Sequence, residues 1–202
     1  PVSSKISDFY RQTALDYYNY AMDKLYHTAL DDYHERKNNK IPFHTYTAMM
    51  TYEVPLNLNG LLSITYDIYE FTGGAHGNTV KHADTWNMLS GNRLDLSDYF
   101  ISPSYKSIIF HNITAQISDQ IAQGNNYYFD NYQTNVFKYF NENNYYLTPD
   151  GFAFFYPLYT IAPYVAGIVT FIVPYEKFDG YYTPEMKNWI KALPDSIKTR
   201  EK

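Results

Sequence analysis

The chain has 202 residues, a net charge of −5 and a pI of about 5.6. This acidic balance argues against a nucleic-acid partner, because phosphate binding needs clustered Lys and Arg. The sequence has no cysteine, which excludes disulfides, thiolate zinc sites and cysteine nucleophiles. No run of about 18 apolar residues is present, so we expect membrane contact only through a segment outside this sequence.

Residues 4–36 are predicted to form one long amphipathic helix, which Pro42 prevents from continuing. Two neighbouring rows of side chains recur at helical spacing. The first row is Ile6, Tyr10, Ala14, Tyr17, Ala21, Leu25 and Thr28. The second row is Leu15, Tyr18, Met22, Tyr26 and Leu30. Because two adjacent rows make a broad apolar face, we expect both of them to press on a sheet.

Residues 41–100 are predicted to form the first half of a sheet. Alternating side chains indicate strands at 43–54 and 61–71, and Asn59-Gly60 between them is typical of a tight hairpin turn. A third strand is expected at about 79–89, after the glycine-rich segment 72–77.

Residues 101–202 are predicted to supply a second helix and the other half of the sheet. Ser102-Pro103 is typical of a helix start and Gly124 of a helix end. Strands are expected on either side of Pro149-Asp150-Gly151 and again at 168–173, with a short final helix near Trp189. We predict one domain, 1–202, of the α+β class: a single, mostly antiparallel sheet with the long N-terminal helix and the second helix packed on one face.

Catalytic motifs are missing from the sequence, which has no Gly-x-Ser-x-Gly elbow, phosphate loop or dinucleotide fingerprint. His76, His82 and Asp84 are the best candidates for a hydrolytic metal site, but nothing in the sequence fixes His76 beside the other two. A structural, hydrogen-bonded histidine is the favoured interpretation. We therefore predict no catalytic residue, no metal, no cofactor and no enzymatic activity.

Two segments carry a family resemblance. The first is 69–77, which contains Thr72-Gly73-Gly74-Ala75-His76-Gly77, followed by 94–100. The second is 154–167, which begins Phe-Phe-Tyr-Pro-Leu-Tyr, followed by 172–175. Together they resemble the extracytoplasmic domain of the lysozyme-sensing anti-sigma factors of Gram-positive bacteria, a domain also found beside peptidoglycan deacetylase domains.

The resemblance implies an extracytoplasmic, non-enzymatic binding module, anchored to the membrane in its full-length form. The implied partner is lysozyme or another basic protein, which an acidic surface would attract; a cell-wall glycan such as peptidoglycan is the alternative. We expect a stiff Pro-x-Tyr loop to enter the sugar cleft of lysozyme. The predicted contact residues are Thr72, Gly73, Gly74, Ala75, His76, Gly77, Pro157, Leu158, Tyr159 and Tyr164.

A structural role for the same residues stays open from the sequence. The glycine segment is equally consistent with a strained connection in which His76 makes a structural hydrogen bond. Tyr164 and Ile161 are candidates for the core, and Tyr159 for covering the sheet. Pro157 is the better surface candidate, because proline is disfavoured inside a paired strand. A binding site needs the two segments to converge at one edge of the sheet.

Overall fold

The computed structural model describes residues 1–125 and 127–193. The chain divides into two compact units. Unit 1 comprises Pro1–Tyr52 and Tyr66–Lys81, and unit 2 comprises Glu53–Thr65 and the described residues from His82 onward. Among the helices of the described residues, none has the length and apolar character needed to cross a membrane.

The predicted long helix is confirmed in unit 1. It consists of α1 (Val2–Tyr20), a π turn (Ala21–Leu25) and α2 (Tyr26–Asn39), which follow one another without a break. It ends at Lys40, whose φ of 56° lies in the left-handed region and stops the helix.

Of the two predicted rows on this helix, only the first faces the strands of unit 1, and its members Ala14 and Thr28 are exposed. Ile6 is buried, and the Tyr17 hydroxyl donates to the Tyr69 carbonyl at 3.3 Å. The second row was predicted to be covered as well, and this prediction is wrong: its side chains are exposed to solvent. The strands of unit 1 contact only one flank of the helix, so the other apolar flank is left uncovered within the described residues.

The strands form two antiparallel sheets. The four-stranded sheet has the order β1-β2-β3-β4, and the three-stranded sheet has the order β5-β6-β7. The strands of the first are β1 (Thr47–Leu58), β2 (Leu61–Phe71), β3 (Asn78–Asn87) and β4 (Asn92–Leu94). The strands of the second are β5 (Tyr145–Thr148), β6 (Gly151–Tyr156) and β7 (Val169–Pro174).

The α+β class is confirmed, but the prediction of a single shared sheet is wrong. β5 and β7 each pair with the central strand β6, and within the described residues these three strands form a sheet of their own. A side chain makes a connection to the four-stranded sheet instead. The Leu147 N–H of β5 donates to Ser63 Oγ at 3.0 Å, and Ser63 also shares a 2.6 Å hydrogen bond with Thr85. All three residues lie in unit 2.

The core of unit 2 lies between these sheets and three helices: α3 (Tyr105–Ala122), α4 (Tyr132–Lys138) and α5 (Pro184–Lys191). The second predicted helix is α3, in which Ile109, Ile113 and Ile117 are fully buried. The predicted helix start is wrong. Ser104 occupies the N-cap position, while Ser102 accepts from the Ser104 N–H in the turn before it.

Candidate binding site

The loop between β6 and β7 projects a tight turn, 157–160, from unit 2. Its first carbonyl, that of Pro157, accepts from the Thr160 N–H at 3.3 Å and from the Thr160 hydroxyl at 2.6 Å. Tyr159 has a φ of +63°, a conformation that glycine usually occupies. Its side chain is nevertheless 54% exposed. The turn therefore holds a strained tyrosine at the surface.

The second half of the loop supports this tyrosine. The rings of Tyr159 and Tyr164 lie 5.7 Å apart with a 33° interplanar angle. A short 3₁₀ turn, Tyr164–Ala166, follows, in which the Ala166 N–H donates to the Pro163 carbonyl at 3.0 Å. Val165 in this turn is 77% exposed. The loop thus presents two tyrosine rings and a valine.

The base of the loop is fixed in the core. Ile161 is fully buried and Ala162 is 2% exposed, between the two projecting halves. The Ile161 carbonyl accepts from the Phe129 N–H at 3.0 Å, and the Tyr156 hydroxyl donates to the Val136 carbonyl at 3.0 Å. Because the base is buried and hydrogen-bonded, we expect the exposed tip to be held in one conformation.

The predicted residues of this loop divide between surface and base. Pro157 and Tyr159 are exposed, and Leu158 and Tyr164 are half-buried. Ile161, which the sequence left open as a core candidate, is in the core. The sequence reasoning did not name Val165 as a contact residue; it lies within the segment 154–167 and is identified by its exposure.

The glycine segment 72–77 lies in unit 1, between β2 and β3. Thr72, Gly74, Ala75 and His76 are exposed. Gly73 has a φ of +84°, a conformation that glycine adopts readily, whereas Gly74 and Gly77 do not have a positive φ. Gly77 is required for space instead, because a Cβ there would lie 2.3 Å from the ring of Tyr69.

The histidine of this segment makes the local contact that a structural role predicts. His76 Nδ1 lies 2.9 Å from the Gly77 carbonyl oxygen. Asp84 is buried and pairs with Arg93 at 2.9 Å. Within residues 1–125 and 127–193, no three His, Cys, Asp or Glu side chains form a group that could hold a metal ion. The metal triad considered from the sequence is therefore not assembled.

The two predicted binding segments belong to different units, the glycine segment to unit 1 and the loop 157–167 to unit 2. Their convergence on one surface stays a prediction. The conformation of each segment is established separately.

The tyrosines of unit 2 fall into a buried and an exposed class. Burial raises the pKa of the phenols in the core above the ordinary value. The buried tyrosines of unit 2 are Tyr99, Tyr105, Tyr145, Tyr156, Tyr175 and Tyr182. Tyr159 is exposed, so the tyrosines of unit 2 contribute both to the packing of the core and to the candidate binding surface.

Two protein-family models match successive segments of the chain. Residues 1–79 match the model described as deacetylase PdaC, and residues 97–176 match DUF3298, described as a protein of unknown function. The glycine segment lies inside the first match, and the loop 157–167 lies inside the second. No curated protein matches the chain.

Two solved structures are similar to the chain. A DUF3298 family member from Bacteroides fragilis is 25% identical with a TM-score of 0.65; the match covers 85% of this chain and 69% of that one. A DUF3298 family protein from Pseudomonas aeruginosa, 21% identical, shows the same fold with a TM-score of 0.55 over 76% of this chain and 69% of its own. The comparisons thus support the predicted resemblance in a coarser form: a segment matching the PdaC model precedes a segment matching the DUF3298 model, whose solved members share the fold.

Proposed function

We propose that the chain is a non-enzymatic binding module of the bacterial cell envelope, which recognises lysozyme through the loop 157–167. The observation that carries this proposal is Tyr159, a non-glycine residue with positive φ whose ring is held at the surface. A left-handed conformation costs a non-glycine residue about 1–2 kcal/mol. Such strain tends to persist at functional sites.

The chemistry of the loop suits recognition of a folded protein. Tyrosine gives a large contact area with few rotatable bonds, so little conformational entropy is lost on binding. Pro157 restricts the backbone at the start of the turn, and Tyr164 supports the Tyr159 ring from one side. A preorganised projection of this kind is what a concave partner surface, such as an enzyme cleft, requires.

Charge and family matches support the identity of the partner. Lysozyme is strongly basic, and a chain with a net charge of −5 would gain association rate with it. The match of residues 1–79 to the PdaC model supports a cell-envelope role, and the resemblance of the two sequence segments to lysozyme-sensing domains is the reason for proposing lysozyme.

Calorimetric titration with hen lysozyme at moderate salt tests the proposal. We expect saturable binding, and we expect the double variant Pro157→Ala/Tyr159→Ala to weaken it by about 2 kcal/mol, roughly 30-fold. Tyr52→Ala is the matched control, because Tyr52 is a 74% exposed tyrosine in unit 1. A folded wild-type protein that does not bind at tens of micromolar would end the lysozyme proposal, and an unchanged affinity of the double variant would remove the loop from the site.

A second candidate is a cell-wall glycan-binding accessory module. The match of residues 1–79 to the model described as deacetylase PdaC favours it. Exposed tyrosines such as Tyr159 can stack on sugar rings. Retention on purified peptidoglycan without affinity for lysozyme would favour this candidate over the first.

A further inference from the structure

Unit 1 carries an apolar surface that the proposed lysozyme site does not use. It consists of a row of large side chains on the long helix, here called the outer row, each between 37% and 59% exposed. The outer row is Leu15, Tyr18, Met22, Tyr26, Leu30 and Tyr33. Its length, 18 residues, corresponds to about 27 Å of helix. Leaving so much contiguous apolar surface in water is unfavourable and typical of an interface.

The outer row from Tyr18 to Tyr33 also forms one wall of a groove of about 530 Å³. Phe43, Tyr46 and Phe71 form the opposite wall, and Ala21 and Ala29 leave room between the walls. The residues that line the groove all belong to unit 1. The surface is therefore a concave site with room for side chains of a partner.

The spacing of the outer row is symmetric along the chain. Successive members are three, four, four, four and three residues apart, so the row reads the same in both directions about position 24. A regular helix would keep a row aligned with spacings of three and four in alternation. The outer row has one additional residue, and the π turn Ala21–Leu25 accommodates it at the centre of the row.

We propose that the outer row is the contact surface of a two-fold homodimer, in which the long helices of two copies pack antiparallel. A two-fold axis at position 24 places Leu15 against Tyr33 of the second copy, Tyr18 against Leu30, and Met22 against Tyr26. Each of these pairs joins one tyrosine with one aliphatic side chain. A self-complementary surface is what an isologous dimer requires.

The exposed area agrees with this partner. At about 200 Å² for a large side chain, the six residues expose roughly 600 Å² on each copy. Two copies would bury roughly 1,200 Å², the lower limit for a specific protein interface. An interface at this limit predicts a dimer that dissociates on dilution rather than a permanent one.

Sedimentation analysis over a wide concentration range tests the dimer. We expect the mass to rise from the monomer value of 23.7 kDa to twice that value as the concentration increases. Met22→Glu places a charge beside the two-fold axis and should keep the protein monomeric. Thr28→Glu adds the same charge to an exposed position two residues beyond Tyr26, on a different side of the helix, and should leave dimerisation unchanged. Circular dichroism verifies that both variants are folded.

Cysteine cross-linking tests the antiparallel register independently. The chain has no cysteine, so introduced thiols are the only ones present. An equal mixture of Tyr18→Cys and Leu30→Cys proteins should be cross-linked by a short bismaleimide, whereas neither variant should cross-link alone. In the proposed dimer two copies of position 18 are twelve residues apart along the helix, about 18 Å.

Three results would overturn the proposal. The first is a monomer at every concentration, including one whose groove takes up an acyl-chain probe instead of a second copy. The second is a dimer that persists in a folded Met22→Glu variant. The third is efficient cross-linking of Tyr18→Cys alone, which would indicate a parallel arrangement or another surface.

Discussion

Replacing Tyr159 by alanine and, separately, by glycine distinguishes the contribution of its ring from that of its backbone. Both variants lose the ring contact with Tyr164, so they differ only in the presence of Cβ. At a φ of +63° a Cβ costs about 1–2 kcal/mol, whereas glycine loses about 0.5–1 kcal/mol more conformational freedom on folding. The difference predicts that Tyr159→Gly is more stable than Tyr159→Ala by about 0.5–1 kcal/mol.

Urea unfolding measures this difference as a shift in midpoint at constant slope. Val165 supplies the control pair: it lies in the same loop and does not have a positive φ, so Val165→Ala should be more stable than Val165→Gly. In lysozyme titrations the two Tyr159 variants should be equally weakened, because both lack the ring. The strain argument fails if alanine at position 159 is as stable as glycine, and the contact argument fails if either variant binds like the wild type.

The remaining predictions concern the fold around the sites. Ser63→Ala removes the acceptor of the buried Leu147 N–H, so the free energy of unfolding should fall by about 1–3 kcal/mol in urea titrations; no change would mean that the two sheets do not depend on this hydroxyl. Gly77→Ala should displace the Tyr69 ring and lower the free energy of unfolding by about 1–3 kcal/mol. Gly74→Ala is the control and should have little effect, because nothing lies within 4 Å of a Cβ at that position. Equal losses in the two variants would contradict the packing argument. Stability should be complete below about pH 10 and fall above it, because the folded state raises the pKa of the buried phenols and favours their protonated form. Urea unfolding between pH 8 and 11 measures this fall, and a constant midpoint would contradict the assignment of six buried tyrosines: Tyr99, Tyr105, Tyr145, Tyr156, Tyr175 and Tyr182.

Local patterns were sufficient to predict most of the elements. The strand predicted at 61–71 is β2, because its alternation and the Asn59-Gly60 turn act within a few residues. β1 was predicted at 43–54 but runs from Thr47 to Leu58. The alternation of side chains continues before Thr47, but a strand needs a paired partner. β2 ends at Phe71, so residues before Thr47 have no β2 residue opposite them.

Features that depend on tertiary contacts were not predictable in this way. The number of sheets depends on which strands pair over long distances in the sequence, and this pairing leaves no periodic signal. The exposure of Pro157 followed from its chemistry. The positive φ of Tyr159 did not, because residue preferences favour glycine at such a position. The outer row was visible as a pattern, but its exposure depends on which flank of the helix the strands cover.

The π turn at Ala21–Leu25 has a consequence for how the long helix tolerates changes in length. Removing one residue between Met22 and Tyr26, such as Asp23, would leave spacings of three and four in strict alternation. An uninterrupted α-helix would then form, with the apolar side chains before and after the deletion still in line. Related sequences that lack one residue here would present the same apolar side chains on the same face of the helix. A single-residue gap at this point of an alignment would therefore not indicate a different structure.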